Sequence, residues 1–420
     1  MDFIEQIIWI YLTIPLLIAV SVIFTIYAAF PQFRLKKMMQ AMQKKNEDCL
    51  ISPAASLMIA LSARIGVGTL AGTGLAIYLG GPGSIFWMWI SAIITSAATF
   101  AENTLAQRFK RETSGKYYGG PAFYIKDGLK KPRLATLYAL LLILTYTLGF
   151  VAVQMNTITT IFTQSIGMHV PLIASMLVVL TAITISGGIS KISKLIARIV
   201  PVIAIFFLGL GAVSLIINFS YIPTFFTEII SHAFGFAPLA GGGIGTAVAI
   251  GIKRGVFSNE AGLGTGAHAA GLTHHENPDE QGYLGILGIY LTTIVSVTIV
   301  AFMIMSTGAH MHVTYADNGI EFLHFSLLQQ YGDITQVILP AIIFFFGFST
   351  VITAYLYGEM NIKFLTEKKS AVIMLKLLLL FVVFAAGVAN PRNIWSLVDI
   401  GVGMTALINL VAIFLLRRHL

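Results

Sequence analysis

The chain has 420 residues, of which 57% are hydrophobic and only 10% are charged, and its mean hydropathy is +0.85. Soluble domains carry about 25% charged residues, so this composition excludes a soluble globular protein. The net charge of +8 does not indicate nucleic-acid binding, because the basic residues lie between apolar segments. The single cysteine, Cys49, excludes an intrachain disulfide and a thiolate metal cluster.

Eleven apolar stretches are long enough, or nearly so, to cross a bilayer as helices. They lack the alternation of membrane β-strands, and the first has no positive charges before it, so we expect no signal peptide. The predicted spans are 7–30, 53–80, 82–107, 134–160, 170–188, 195–217, 240–272, 282–306, 334–359, 370–388 and 394–416. We therefore predict an all-α integral membrane protein with one transmembrane domain over residues 1–420.

Lysine and arginine predict the orientation of the spans. They cluster after the first, third, fifth and ninth spans, whereas the loops near 161–169, 218–239 and 307–333 contain none. By the positive-inside rule, the N-terminus lies outside and the C-terminus lies in the cytoplasm, as an odd number of spans requires. The short loops favour the inner cell membrane of a prokaryote.

Two spans carry glycines and polar residues at mid-membrane depth. The second contains GVGTLAGTG at 66–74, and the seventh contains SNEAGLGTG at 258–266. Glycine weakens a helix by about 1 kcal/mol relative to alanine. An interrupted helix is tolerated in lipid only where protein or a water-filled cavity satisfies its backbone. One such span alone would fit close packing through small residues equally well.

The pair of interruptions favours a transporter. The second span enters from the inside and the seventh from the outside, five spans later. Residues 53–217 and 240–416 would then be two five-helix repeats of opposite orientation, preceded by an extra helix at 7–30. Inverted repeats of this kind place the binding site where the two interrupted helices meet. We therefore predict a secondary transporter that works by alternating access.

Six segments resemble the alanine or glycine:cation symporter family, which includes the sodium:alanine symporters. They are GVGTLAGTGLAIYLGGPGSIFWMW (66–89), FAENTLAQRFK (100–110), GGPAFYI (119–125), the region around Gln154–Asn156, KRGVFSNEAGLG (253–264) and FSTVITAYLYGE (348–359). The resemblance spans nearly the whole chain. It implies a fold like that of the leucine-transporter (LeuT) group with one added N-terminal helix. It also implies sodium-driven uptake of small neutral amino acids.

An amino acid is a zwitterion, so each of its charges needs partners. The N-terminus of a half-helix offers free N–H groups and a positive dipole end to the carboxylate. Carbonyls freed at the other interruption would accept hydrogen bonds from the ammonium group. The substrate-binding candidates are Gly68, Thr69, Ala71, Gln154, Phe257, Ser258, Asn259 and Ala354. Gln154 matches a glutamine of the family's substrate site, and an interhelical hydrogen bond is the alternative role for it.

Sodium is a hard cation that prefers oxygen ligands. Ser349 and Thr350 match a family motif on the helix that, in related transporters, holds a sodium ion against the first interrupted helix. We expect their hydroxyls to bind sodium together with the carbonyls of Gly66 and Val67. The alternative is that both hydroxyls bond back to their own helix.

Ionisable residues inside predicted spans are functional candidates. They are Arg64, Glu102, Lys253, Arg254, Glu260 and Glu359. We expect Glu102 to lie near the inner surface, where Arg108 and Lys110 would meet it. The candidates for gates or internal ion pairs are Arg64, Lys253, Arg254 and Glu260. Structural pairing and a role in transport both remain open for each.

Four residues depart from the family pattern. Val67 and Thr69 stand where the family has threonine and asparagine. Ala354 replaces a tryptophan, and Thr292 replaces a frequent aspartate. Loss of a tryptophan side chain enlarges the pocket. Loss of oxygen ligands predicts that one ion site is altered or missing.

Other functions fit the sequence less well. Proton coupling or exchange, with Glu260 or Glu102 as the carrier, is the alternative within transport. An intramembrane enzyme would need paired catalytic groups such as HExxH, and a channel would more often show pore-lining repeats than two inverted interrupted helices. We expect a non-enzymatic monomer without a cofactor. Its partners would be a small neutral amino acid, sodium as the coupling ion and the lipid bilayer, with no nucleic acid.

Overall fold

The computed structural model describes residues 2–44, 51–113, 115–235, 243–313, 319–389 and 391–420. Nearly all of this part of the chain is helical. The strands within it form one short antiparallel hairpin, β1 (Arg111–Thr113) with β2 (Lys116–Tyr118). This hairpin follows the third predicted span and adds a small exception to the all-α prediction. Cys49 lies outside the described residues.

The helices of the first half begin at or near the predicted borders. Proline stands in the first helical turn of several of them, where its missing N–H would have had no intrahelical partner. In chain order they are α1 (Phe3–Tyr27), α2 (Leu35–Gln43), α3 (Pro53–Arg64), α4 (Val67–Gly80), α5 (Gly83–Arg108), α6 (Pro121–Asp127), α7 (Pro132–Ile166), α8 (Val170–Ile185) and α9 (Gly188–Ile217).

The helices of the second half include several short ones between the long spans. They are α10 (Ile222–Ala233), α11 (Ile244–Asn259), α12 (Thr265–Ala270), α13 (Asp279–Ser306), α14 (Ala309–His312), α15 (Ile320–Tyr331), α16 (Thr335–Leu365), α17 (Lys369–Gly387) and α18 (Pro391–Leu415). Asp279 and Glu280 occupy the first turn of α13, where negative charge favours the helix dipole.

The lengths of the helices suit a membrane. Among the described residues, eight helices are long and apolar enough to cross a bilayer, and α3 with α4, bent by 44°, would make a ninth. The predicted spans 170–188 and 240–272 contain α8 and α11, each of 16 residues. A helix of that length is shorter than the hydrocarbon core, which takes about 20 residues. The multi-pass architecture is confirmed, and the count of eleven spans stays a prediction.

The distribution of polar and apolar side chains is also that of a membrane protein. Large apolar side chains on the outside, such as Ile183, Ile205 and Ile216, are about 70% exposed or more. Charged side chains such as Arg64 and Glu102 are instead almost completely buried. Exposed apolar surface on this scale is stable only against lipid.

The packing order brings the two interrupted segments together. The half-helix α4 packs against α11, and α11 packs along α5. On the other side, α16 packs against both α3 and α7. The first interruption, between α3 and α4, therefore lies between α11 and α16. The division of the chain into inverted repeats at 53–217 and 240–416 stays a prediction.

Candidate functional site

The first interruption consists of Ile65 and Gly66. Gly66 has extended backbone angles, φ −119° and ψ −163°, and the helix resumes at Val67. A Cβ at position 66 would lie 2.4 Å from Oγ1 of Thr350, so the backbone approaches α16 this closely only because glycine has no side chain. The interruption covers only the start of the glycine-rich segment 66–74, because the residues from Val67 onward are helical.

The start of α4 leaves two N–H groups for a ligand. The first four N–H groups of a helix have no intrahelical acceptor. Val67 donates to Oε1 of Gln154 at 2.9 Å, and Thr69 and Leu70 donate to the Gly66 carbonyl at 3.1 and 3.4 Å. The remaining two N–H groups, of Gly66 and Gly68, have no acceptor among the described residues, and Gly68 is the one that lies inside the first turn. Gly68 is therefore the best placed of the predicted carboxylate ligands.

The second interruption covers residues 260–264, between α11 and α12. Glu260, Gly262 and Gly264 all have left-handed backbone angles, with φ of 59°, 82° and 79°. Glycine adopts such angles without cost, whereas a glutamate there is strained and must be held by its surroundings. The predicted interruption in the seventh span is therefore present in the backbone at the predicted residues.

The two interrupted helices touch through the residues that the sequence singled out. Oγ1 of Thr69 lies 2.8 Å from Oγ of Ser258, and Thr69 also donates to the Arg64 carbonyl at 2.7 Å. A Cβ on Gly68 would lie 2.8 Å from the ring of Phe257. Gly68, Thr69, Phe257 and Ser258 are therefore neighbours in one buried junction.

A cluster of neutral oxygen atoms joins α3 to α16 beside Gly66. Oγ1 of Thr350 donates to the Ser62 carbonyl at 2.8 Å and to the Phe346 carbonyl at 3.0 Å. Oγ of Ser62 lies 2.5 Å from Oγ1 of Thr353 and 3.0 Å from the Ser349 carbonyl. Ser62 and Thr353 were not among the predicted ligands, although they lie one turn from Gly66 and Ser349. Three hydroxyls and the neighbouring carbonyls, all neutral, suit a cation of single charge.

Some predicted site residues have other roles in this structure. Gln154 makes the interhelical hydrogen bond to Val67 that was its alternative role. Ser349 bonds back to the Phe346 carbonyl at 2.9 Å. Ala71 lies inside α4, so its N–H belongs to the helix rather than to the interruption.

Two further site residues lie beside the junction. Asn259 supports the second interruption, since Nδ2 donates to Thr293 at 3.2 Å and Oδ1 accepts from the Ala261 N–H at 3.0 Å. Ala354 is completely buried on α16, one turn beyond Thr350. Asn259 is thus the last residue of α11 before the second interruption, and Ala354 lies on α16 one turn from Thr350.

Stacked aromatic rings lie against the junction, and no local sequence pattern predicted this stack. The rings of Phe150 and Phe257 stack with centroids 4.8 Å apart and an interplanar angle of 5°. Tyr146 stacks on Phe150 at 4.3 Å, and Trp395 lies 5.1 Å from Phe257. These residues come from α7, α11 and α18, so only the folded chain brings them together.

An ion-pair cluster lies on α11 before the second interruption. Lys253 and Arg254 both pair with Asp399 of α18, Lys253 at 2.6 Å, and Lys253 also pairs with Glu5 of α1. The Arg254 guanidinium lies 5.5 Å from the Phe257 ring centroid. Lys253 and Arg254, two of the candidates for gates or internal ion pairs, therefore take part in one ion-pair cluster. Asp399 was missed because a lone carboxylate in an apolar span has no local pattern.

Arg64, Glu102 and Glu260 form a second buried group. The Arg64 side chain is 2% exposed, and Nη1 is 3.3 Å from the Gly285 carbonyl. Glu260 accepts from the Thr265 hydroxyl at 2.7 Å. Arg64 acts electrostatically on both carboxylates.

Glu102 is not where the sequence suggested. It is completely buried and accepts from Nδ2 of Asn409 at 2.7 Å, rather than meeting Arg108 and Lys110 at the inner surface. Asn409 also donates to the Gly262 carbonyl at 3.0 Å. Glu102 and Asn409 therefore hold the second interruption from α5 and α18.

Comparison with known proteins decides the family. The model of the "Sodium:alanine symporter family" matches residues 1–420. The chain belongs to the sodium:alanine symporter family. The resemblance seen in the motifs is thereby confirmed, and with it amino acid transport as the general activity of the family.

Relatives within this symporter family carry different names. The probable sodium/glutamine symporter GlnT of Bacillus subtilis is 36% identical over 421 residues, covering 99% of this chain and 87% of that protein. The sodium/proton-dependent alanine carrier protein of Bacillus sp. (strain PS3) is 30% identical, covering 89% of this chain and 87% of that protein.

The fold of this symporter is that of the leucine-transporter group. The solved structure of MhsT in complex with L-phenylalanine has a TM-score of 0.56 and 11% sequence identity. The match covers 86% of this chain and 98% of MhsT. The predicted fold class is confirmed by this likeness, which concerns the fold alone.

Proposed function

We propose that this family member is a sodium-coupled symporter that imports a neutral amino acid. The observation that carries the proposal is the junction of the two interrupted helices. It combines the free Gly68 N–H with the hydroxyls of Thr69 and Ser258 in one buried place. A zwitterion needs donors and acceptors close together, and this junction offers both.

The substrate carboxylate would bind at the first turn of α4. The positive end of the helix dipole and the N–H of Gly68 both favour an anion there. The carbonyls of Phe257 and Ser258, at the end of α11, would face the ammonium group. Thr69 and Ser258 now bond to each other, so a bound substrate would replace that bond.

The sodium ion would bind between α3 and α16. Oxygen atoms of Thr350 and Ser62 lie beside Gly66, and Ser349 directly precedes Thr350 on α16. A hydroxyl that donates to a carbonyl keeps lone pairs for a cation. We therefore retain Ser349 and Thr350, with the Gly66 and Val67 carbonyls, as the proposed ligands, and add Ser62.

The pocket should accept side chains larger than that of alanine. Ala354 is buried one turn beyond Thr350, where the family pattern has tryptophan. Removal of an aromatic ring makes room for a longer substrate. A relative named for glutamine supports this size class.

Uptake into proteoliposomes tests the proposal. Labelled glycine, alanine, glutamine, methionine and leucine would be offered under an imposed sodium gradient or an imposed pH gradient. We expect sodium-driven uptake, with Ala354→Trp shifting preference from glutamine toward alanine. Uptake that follows the pH gradient and ignores sodium would reject the proposed coupling.

Proton coupling is the second candidate. The buried group contains two carboxylates, Glu102 and Glu260, and only one guanidinium, Arg64. Buried charge without a partner is costly, so this group would gain by taking up one cation, such as a proton. The relative named as a sodium/proton-dependent alanine carrier makes proton coupling worth testing. Under this alternative, Glu260→Gln would abolish uptake driven by the pH gradient.

We also propose the orientation predicted from charge, in the inner membrane and as a monomer. Two exposed positions test it in a Cys49→Ser background, Thr224→Cys in α10 on the predicted outside and Glu367→Cys in the loop after α16 on the predicted inside. A membrane-impermeant maleimide should label only the first in intact cells. Labelling of the second alone would invert the topology.

A further inference from the structure

A groove of about 450 Å³ lies on the outer side of the helix bundle, between α9 and α16. Its walls are apolar and include Val202, Ile203 and Phe206 on α9 with Ala341 and Ile342 on α16. Val202 and Phe206 are exposed there, so the groove faces the surroundings of the bundle. In a membrane protein those surroundings are lipid chains.

One end of the groove carries positive charge. Arg198 is the one charged residue lining the groove in the part of the chain that the structure describes. Lys191 and Lys194 precede it at spacings that place all three on the same face of α9. All three side chains are exposed, and none has an acidic partner among the described residues.

Arg198 is placed unusually for a transmembrane helix. The predicted span begins at residue 195, so the Arg198 backbone lies about 5 Å inside it at 1.5 Å per residue. Ionisable residues inside spans are rare and normally face the protein interior or a partner. Arg198 faces lipid instead, and its long side chain reaches back toward the headgroup region.

The charge pattern decides which lipid suits the groove. A guanidinium binds a phosphate through two parallel hydrogen bonds. A lipid with a net negative headgroup is also attracted by Lys191 and Lys194, whereas the cationic group of a zwitterionic headgroup is repelled by them. A basic surface at the cytoplasmic end of a span is the arrangement that recognises anionic lipids.

We propose that α9 and α16 form a binding site for one anionic phospholipid. One of its acyl chains lies in the apolar groove between Val202 and Ala341. Its phosphate binds Arg198, and Lys194 adds a second positive charge. The site is separate from the junction of the interrupted helices. It therefore does not depend on which amino acid or coupling ion the protein uses.

Lipid retention measures this site directly. The full chain is purified in detergent micelles doped with equal amounts of phosphatidylglycerol and phosphatidylcholine, and bound lipid is counted by native mass spectrometry. The wild type should retain phosphatidylglycerol preferentially. Arg198→Gln should lower that retention on the order of fivefold, the effect of one basic charge at a membrane surface.

Two further variants separate charge from shape. Ala341→Phe fills the groove without changing charge, so it should lower retention of both lipids. Arg133→Gln is the matched control, because Arg133 is an exposed arginine at the start of α7 and does not line the groove. It should retain lipid as the wild type does.

Clear outcomes would overturn the proposal. Equal retention of both lipids by the wild type would mean that the groove holds only generic lipid. Unchanged retention in Arg198→Gln, with an elution profile and melting temperature like those of Arg133→Gln, would rule out Arg198 as the phosphate ligand. If Arg198→Gln does not purify as a folded protein, Lys194→Gln tests the charge and Ala341→Phe tests the groove.

Discussion

The two helix interruptions in this symporter are built differently. The first has two residues, and its neighbours are neutral: the Gln154 amide and the Thr350 hydroxyl. The second runs over 260–264, with three left-handed residues, and side chains from other helices hold it. Tyr138 donates to the Leu263 carbonyl at 2.6 Å, and Asn409 donates to the Gly262 carbonyl at 3.0 Å.

This difference suggests a division of roles. A short interruption beside neutral oxygens leaves backbone groups available to a sodium ion and a carboxylate. A long interruption held by many side chains is a hub that links its helices. We therefore expect changes near the second interruption to act mainly on stability, and changes near the first to act mainly on transport.

The largest effect should come from Asp399→Asn, next to the second interruption. The substitution leaves Arg254 and Lys253 buried without their main carboxylate. Breaking a buried ion pair from one side costs about 3–5 kcal/mol. The melting temperature in detergent should therefore fall strongly. Glu5→Gln is the milder control, because Lys253 keeps Asp399. If the wild type, Asp399→Asn and Glu5→Gln melt at the same temperature, the ion-pair cluster does not stabilise the fold.

Gly66→Ala should have the next largest effect, at the first interruption. The added Cβ would lie 2.4 Å from the Thr350 hydroxyl oxygen, so α3 and α16 must separate. Such overpacking costs about 1–3 kcal/mol of stability. Because it also displaces the proposed sodium ligands, we expect sodium-driven uptake to fall roughly tenfold, the effect of about 1.4 kcal/mol lost in sodium binding. Gly72→Ala is the matched control on α4, because nothing lies within 4 Å of its added Cβ. Similar losses in both variants would contradict a role specific to Gly66.

Gln154→Leu should affect transport more than stability. It removes the acceptor of the Val67 N–H at the start of α4, beside the proposed sodium ligands, so it disturbs their geometry more than the packing of the helices. We expect the sodium concentration for half-maximal uptake to rise several-fold, with a small change in melting temperature. Gln164→Leu, at an exposed position of the same helix, is the control. A large loss of stability with unchanged sodium dependence would make Gln154 a purely structural residue.

The smallest effect should be the coupling between Thr69 and Ser258. Their hydroxyls are 2.8 Å apart across the two interrupted helices. A double-mutant cycle of Thr69→Ala and Ser258→Ala on the substrate KM should give a coupling of about 0.5–1.5 kcal/mol. The pair Thr73→Ala with Ser258→Ala should be additive, since Thr73 bonds to its own helix. Additivity in both cycles would mean that the Thr69–Ser258 contact plays no part in binding.

Local sequence features predicted the elements of this protein well. Among the described residues, the long apolar stretches are helical at nearly the predicted positions, two of them divided by an interruption, because the bilayer fixes the length of apolar sequence that a span needs. The first interruption lies at the edge of its glycine-rich segment, at 65–66, and the second lies inside its own, at 260–264. Glycine lowers the cost of leaving the helix but does not decide how many residues leave it.

The contact partners of the functional residues could not be predicted from local sequence features. The sequence alone determined the membrane class and the family, and it indicated the glycine-rich segments where the two helices are interrupted. Only the tertiary structure decided that Glu102 meets Asn409, 307 positions away, and that Asp399 holds Arg254, 145 positions away. The physical reason is that helix and span signals come from neighbouring residues. Hydrogen bonds and ion pairs between helices depend on which faces pack together, and no local pattern records that.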